Sequence, residues 1–206
     1  MDMDELRERY EDDARLLNSY GFLLESHARN ELRQAVALYE RAIEVDLDWD
    51  KPHYQLISAR QGLREPERAV ALYEQRLRAA PDSLREHRFL AHAYLAANSY
   101  AKALEIAEAG LVLAPGDAAL TAARGEAKAG LGEVEGALAD WRRALELDPE
   151  DIGALYSSAF LLERQGRHRE SAAAWQAIID WNDARGLSLE SEWPNRELER
   201  LRQLLR

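Results

Sequence analysis

The sequence predicts an all-α protein: a tandem array of five two-helix repeats closed by a C-terminal helix. Three observations predict it. First, residue types recur at a fixed interval of 34: Pro81, Pro115 and Pro149; Ala35, Ala69, Ala103, Ala137 and Ser171; Tyr39, Tyr73, Ala107, Trp141 and Trp175; Ile43, Leu77, Leu111, Leu145 and Ile179. Second, within each interval apolar residues repeat at helical spacing, as Ala69, Leu72, Tyr73 and Leu77 do. Third, alanine, leucine, glutamate and arginine dominate the composition, as in a helical chain. Ladders in phase mark an array in which each unit packs on its neighbours and no single large core is needed.

The repeats read as 16–49, 50–83, 84–117, 118–151 and 152–185, with 1–15 as an acidic N-terminal extension and 186–206 as a C-terminal capping segment. In the extension, Leu6, Tyr10 and Ala14 form a helical stripe that continues through Leu17, Tyr20 and Leu24. The first repeat has a blurred first helix around residues 25–31, and a clear second one on Ala35, Leu38, Tyr39, Ala42 and Ile43. Leu47 stands where a closing proline is expected.

In the second repeat Pro52 suits a first helical turn, where its missing N–H is harmless. Gly62 is expected to supply the positive φ of the turn between the helices. Arg76 occupies a position normally held by a small residue, so its contact must be loose or its head must snorkel to water.

In the third repeat Leu90, Ala91 and Tyr94 face Ala103, Ile106 and Leu111, and Gly110 permits close helix approach. The fourth keeps Gly125, Ala137, Trp141, Ala144 and Pro149, but its first helix puts Thr121, Arg124 and Lys128 at positions normally bulky and apolar. The fifth carries Leu155, Ala159, Leu162, Gly166, Trp175 and Ile179 and runs on through Trp181. The chain breaks at Gly186 and restarts near Pro194, with Leu198, Leu201 and Leu205 on one face of a helix that shields the last repeat.

These residues resemble the tetratricopeptide repeat, whose unit joins an aromatic, a leucine and a glycine in a first helix to an alanine, an aromatic and a closing proline around a second. The second-helix part is matched in all five units, with Ala107 and Ser171 as conservative lapses; of the first-helix glycine only Gly125 remains. The resemblance covers about residues 16–185. It implies a right-handed α-solenoid of five repeats acting as a non-catalytic scaffold that holds a peptide or partner segment in a concave groove. A subset of the family grips the C-terminal carboxylate of chaperones with lysines, an arginine and two asparagines. Here the corresponding positions carry Ser58, Phe89, His92 and Ala123, which counts against that role.

Composition excludes several other classes. A net charge of −11 opposes nucleic-acid binding, which requires a positive field. The absence of cysteine removes disulfides, a thiol nucleophile and thiolate metal sites. No run of 18 apolar residues is present to span a membrane, and the first residues lack the pattern of a secretory signal, so a cytoplasmic protein is expected. All but three of the 27 basic residues are arginine, a bias that leans towards a bacterial source. His87 and His92 are five apart and fall on different helix faces, so no metal site is expected. Residues 130–136, Gly-Leu-Gly-Glu-Val-Glu-Gly, follow a helix and lack an adjoining lysine, which makes them a turn rather than a phosphate loop. Carboxylates lie among arginines at helix-surface spacing, the pattern of solvated faces. No catalytic residue and no cofactor are expected.

The inner lining follows from helical geometry. In each first helix, the stripe opposite the residues facing the partner helix must look along the inside of the array. It reads Lys51, Tyr54 and Ser58; then Arg85, Arg88 and His92; then Ala119, Ala122 and Glu126; then Gly153, Tyr156 and Phe160. The predicted groove residues are therefore Lys51, Tyr54, Ser58, Arg85, Arg88, His92, Ala122, Glu126, Tyr156 and Phe160: a basic patch, a shallow floor and an aromatic wall. Arg85 and Arg88 are taken as solvated in the free protein. The expected ligand is another protein or a peptide with an acidic end and an apolar anchor. Two other classes stay open: a self-assembling homo-oligomer, and a small-molecule sensor or enzyme using the aromatic wall.

Overall fold

The computed structural model describes residues 13, 15–16, 18–19, 29–187 and 192–205. The stripe at Leu6, Tyr10, Ala14, Leu17, Tyr20 and Leu24, and most of the first repeat's first helix, lie outside them. Among the described residues ten helices follow one another: α1 Arg29–Val45, α2 Asp50–Gly62, α3 Pro66–Ala79, α4 Leu84–Ala96, α5 Tyr100–Leu113, α6 Ala118–Gly130, α7 Val134–Leu147, α8 Gly153–Arg164, α9 His168–Ala184 and α10 Glu192–Leu204. The fold is all-α, with helix-turn-helix units in series and a C-terminal helix packed on the last of them. The chain forms two compact units, Met1–Ile106 and Ala107–Arg206, whose boundary falls within α5.

The sequence ladders are the core. Ala35, Ala69, Ala103, Ala137 and Ser171 are all buried, as are Tyr39, Tyr73, Ala107, Trp141 and Trp175. A small residue lets two helices approach, and the aromatic one turn later fills the space that opens beside it. In the first unit Tyr39, Ile43, Leu56, Ala59 and Leu63 pack together. In the second, Trp141 meets Ala154 and Leu161 of the next repeat, while Trp175 gathers Ala159, Ile178, Ile179, Leu198 and Leu201.

A further ladder closes the turns between paired helices. Arg64, Asn98, Gly132 and Gly166 have φ of 62°, 53°, 86° and 70°, the left-handed region, and are spaced 34 apart. At each, the following amide donates back to a carbonyl five residues earlier: Glu65 to Arg60, Ser99 to Tyr94, Glu133 to Lys128 and Arg167 to Leu162, at 2.8–2.9 Å. This is the Schellman closure of a helix C-terminus. Gly62 does not supply the positive φ, contrary to expectation: it is the last residue of α2 and Arg64 takes that conformation. The glycine run at 130–136 is such a turn. Side-chain caps recur at 34 as well, with Ser83 Oγ accepting from Glu86 N and Asp117 Oδ1 from Leu120 N.

The unusual polar positions are buried ion pairs. Arg76 does not snorkel to bulk water; it forms a two-pronged pair with Glu86 of α4 at 2.8 and 2.9 Å, and Glu86 is buried. Arg124 and Lys128 of α6 converge on the buried Asp140 of α7. Gly136 keeps that path open, since a Cβ there would fall 3.2 Å from the Lys128 stem. Glu86 and Asp140 are thus interior, not members of a solvated face.

Candidate partner-binding face

In the first unit the predicted stripe lies on α2 and α4, two helices in direct contact. On α2 the residues that flank the stripe, Pro52, His53, Leu56, Ile57 and Ala59, are buried against the neighbouring helices, while Lys51 and Ser58 are exposed and Tyr54 is half-buried. On α4, Glu86, His87, Phe89, Leu90 and Ala91 are buried, and Arg85, Arg88 and His92 are half-buried. Phe89 organises the face from beneath. It stacks on the His53 ring at 4.2 Å, receives the edge of Tyr54 at 5.2 Å, and lies under the Arg85 guanidinium at 5.4 Å. Tyr54 also meets the His92 ring edge-on at 4.9 Å. Tyr54, Arg85 and His92 are therefore brought together, with Lys51 and Ser58 flanking Tyr54 along α2.

Arg85 is not a solvated cation waiting for a ligand. Its Nε donates to Asp50 Oδ1 at 2.6 Å and its Nη1 to Asp48 Oδ1 at 3.0 Å, which ties α4 to the start of α2. Two carboxylates beside the guanidinium offset its charge, so the basic patch is weaker than the stripe suggested. Arg88 is half-buried as well. The exposed cation of the stripe is Lys51. Below the face, His53 is fully buried; burial first, and then the charges of Arg76 and Arg85, lower its pKa to about 4, so the ring is neutral at pH 7.

In the second unit Ala122 is half-buried and packs against the cluster around Trp141 and Ala154, so it serves repeat-to-repeat packing rather than an open floor. Glu126 is exposed, yet the protein around it desolvates the carboxyl and raises its pKa. Tyr156 and Phe160 do come together, but not as a bare wall: the Trp193 ring of α10 lies on both, 6.0 Å from Tyr156 and 5.6 Å from Phe160. Sequence reasoning missed Trp193. It sits five residues before Leu198, off the leucine stripe that identified the helix, and outside the 34-residue period. Ser58 and His92 lie on the two stripes, whereas Phe89 and Ala123, named with them as positions lacking chaperone-tail ligands, are buried.

Among the described residues no three His, Asp or Glu side chains converge as a metal ion would require. Among them, too, no helix is long and apolar enough to cross a membrane.

Residues 125–166 match the family described as TPR repeat. No curated protein matches the sequence. Among solved structures, TTC0263, a thermophilic TPR protein of Thermus thermophilus, aligns over 88% of this chain and 98% of its own with 21% identity and a TM-score of 0.66. MamA from Desulfovibrio magneticus RS-1 aligns over 83% of this chain and 96% of its own, at 22% identity and a TM-score of 0.55. YrrB, described as a TPR protein with an unusual peptide-binding site, aligns over 92% and 96%, at 21% identity and a TM-score of 0.51.

Proposed function

We infer that this chain, a tetratricopeptide-repeat protein, is a non-catalytic interaction scaffold that binds a peptide or partner segment along the inner stripe of α2 and α4. One observation carries the inference: the two-sidedness of these helices. Their partner-facing residues are buried to a few per cent, while Lys51 and Ser58 reach solvent beside a half-buried aromatic pair, Tyr54 and His92. Rings held edge to face at a solvent boundary offer rigid apolar contact with little entropy left to lose on binding. The peptide-binding description of YrrB, a protein of the same fold, is consistent with a ligand of this kind.

The ligand is a segment with an apolar anchor for the Tyr54–His92 pair and an acidic end for Lys51. Arg85 orders this face through Asp48 and Asp50 rather than contacting the ligand's charge. The setting is cytoplasmic. A pull-down from native lysate with the intact chain identifies the partner, and titration then compares wild type with the double variant Lys51→Glu, Ser58→Glu. Both positions are exposed, so folding should be unaffected, while affinity should fall at least about tenfold for the loss of a charge-assisted contact. Equal affinities would remove this face from the site.

A further inference from the structure

The inner face of the fifth repeat is occupied by the chain itself. Trp193 lies within 8° of parallel over Tyr156 and stands edge-on to Trp175 at 5.1 Å. Further along α10, Leu198 and Leu201 are buried with Ala159 of α8 and with Trp175, Ile178 and Ile179 of α9. Arg200 pairs with Glu163 of α8, and Arg202 Nη2 donates to Gln176 Oε1 of α9 at 3.3 Å. The seat therefore takes a helix that offers tryptophan, two leucines five and eight residues on, and an arginine between the leucines and the solvent. None of these contacts depends on the covalent link through residues 187–191. Ring stacking, leucine burial and an ion pair would be met equally by a helix from another chain.

We propose that α10 is an internal occupant of a helix-docking site, and that the site's external ligand is an amphipathic helix with the same Trp-Leu-Leu face, which must displace α10 from Tyr156 and Phe160. This goes beyond the α2–α4 face and concerns the fifth-repeat positions Tyr156 and Phe160. Two features make displacement workable. Trp193 and Phe160 remain 41% and 44% exposed, so an incoming ring has an open edge from which to start. The buried side chains of α10 form one apolar stripe, Pro194, Leu198 and Leu201, which two substitutions can loosen. The tether gives α10 an effective concentration on the order of millimolar. An external helix of equal contacts is thus kept out until α10 is released, which makes the tail a gate on partner binding.

The probe is a fluorescent synthetic peptide with the sequence of residues 186–206, titrated by anisotropy against the full chain. Wild type should bind it weakly, and the full chain carrying Leu198→Asp and Leu201→Asp should bind at least tenfold more tightly. The same peptide with Trp193→Ala should lose at least tenfold. A released chain that keeps its helical circular dichroism but ignores the peptide overturns the proposal, as does equal binding of the Trp193→Ala peptide. If the double variant unfolds, Trp193→Ala in the full chain replaces it: it vacates the rings of Tyr156 and Phe160 and should bind the unmodified peptide more tightly than wild type, and equal affinity overturns the idea. A wild-type chain that dimerises with rising concentration while the released chain refuses the peptide would likewise overturn the proposal and place self-association elsewhere than the α10 seat. The probe is the chain's own segment, so failure here leaves the Lys51 face untested by this route, and failure at Lys51 leaves the α10 seat standing.

Discussion

Arg124 holds both carboxylate oxygens of Asp140, Nε at 2.9 Å and Nη2 at 2.6 Å, and Lys128 closes on the same carboxylate at 2.7 Å. Burial alone would raise the Asp140 pKa, but the hydrogen bonds from Arg124 and Lys128 outweigh it and hold the carboxyl below its ordinary range. In the fourth repeat this lock takes the place of the bulky apolar contacts that Arg124 and Lys128 displace. Asp140→Ala should cost about 2–3 kcal/mol at pH 7, below the usual loss for a broken buried pair because both cations can turn towards water. The sign of the pH dependence follows from a folded pKa depressed below the unfolded one: the stabilisation is present above about pH 4 and lost as pH falls further. Urea midpoints for wild type and variant should therefore converge at low pH; a gap that persists in acid would mean the cluster acts through packing alone.

His53 gives a window of the same sign at higher pH. Its ring is fully buried between Phe89 at 4.2 Å and the Tyr73 hydroxyl, 3.1 Å from Nδ1. Its folded pKa of about 4 lies below the unfolded 6.5, so the unfolded chain takes up the proton first. Stability should be full above pH 6.5 and fall by up to about 3 kcal/mol as pH drops towards 4. His53→Phe keeps a ring on Phe89 and should abolish this slope, whatever it costs at pH 7. An unchanged slope would place the titrating group elsewhere.

The left-handed turn position offers a test by gain. Arg64 is exposed and holds a φ of 62°, where Gly132 and Gly166 hold theirs without a Cβ. A side chain in that region costs roughly 1–2 kcal/mol. Arg64→Gly should raise stability by about 1 kcal/mol, less what the unfolded chain gains in freedom, and Gly132→Ala or Gly166→Ala should lower it by a similar amount. Chemical denaturation of the three variants measures both directions, and a destabilised Arg64→Gly would show that this turn draws on the arginine side chain.

The fold was legible because its core repeats in register. Ala69 and Tyr73, or Ala137 and Trp141, are small-then-large pairs whose geometry must recur wherever two helices meet in the same way. On α2 and α4 the partly exposed positions of the stripe were legible, but their electrostatics were not. Arg85 finds its carboxylates 35 and 37 residues back, at Asp50 and Asp48, beyond the reach of helical spacing. The Arg124–Asp140 lock joins residues 16 apart on facing helices, and each partner alone reads as surface. The Arg64 turn could have been found, since Asn98, Gly132 and Gly166 are residue types suited to positive φ at a spacing of 34. The destination of Trp193 could not, because it depends on how α10 sits on α9 and no other repeat repeats it.

Trp141 and Gly125 test whether the aromatic ladder is a mutual fit or a sum of separate burials. Trp141 is 3% exposed and packs with Ala154 and Leu161 of the following repeat. Across its own repeat it lies so close to α6 that a Cβ on Gly125 would fall 2.9 Å from both Cδ1 and Nε1 of the indole, and 3.2 Å from the Ala137 carbonyl oxygen. Trp141→Ala removes the ring that joins two repeats and should cost roughly 3–5 kcal/mol. Gly125→Ala gains up to about 1 kcal/mol of helix propensity but forces the ring or α6 to move, which costs about 1–3 kcal/mol, so the net effect is destabilising. In the Trp141→Ala background the indole is gone and the added methyl has room. Gly125→Ala should then become neutral or stabilising. Four urea titrations complete the cycle, and the coupling should come out at about 1 kcal/mol or more, as for residues in contact. If Gly125→Ala costs the same in both backgrounds, the glycine answers to the Ala137 backbone and not to the indole, and the fit between the two helices of the repeat is set by the main chain.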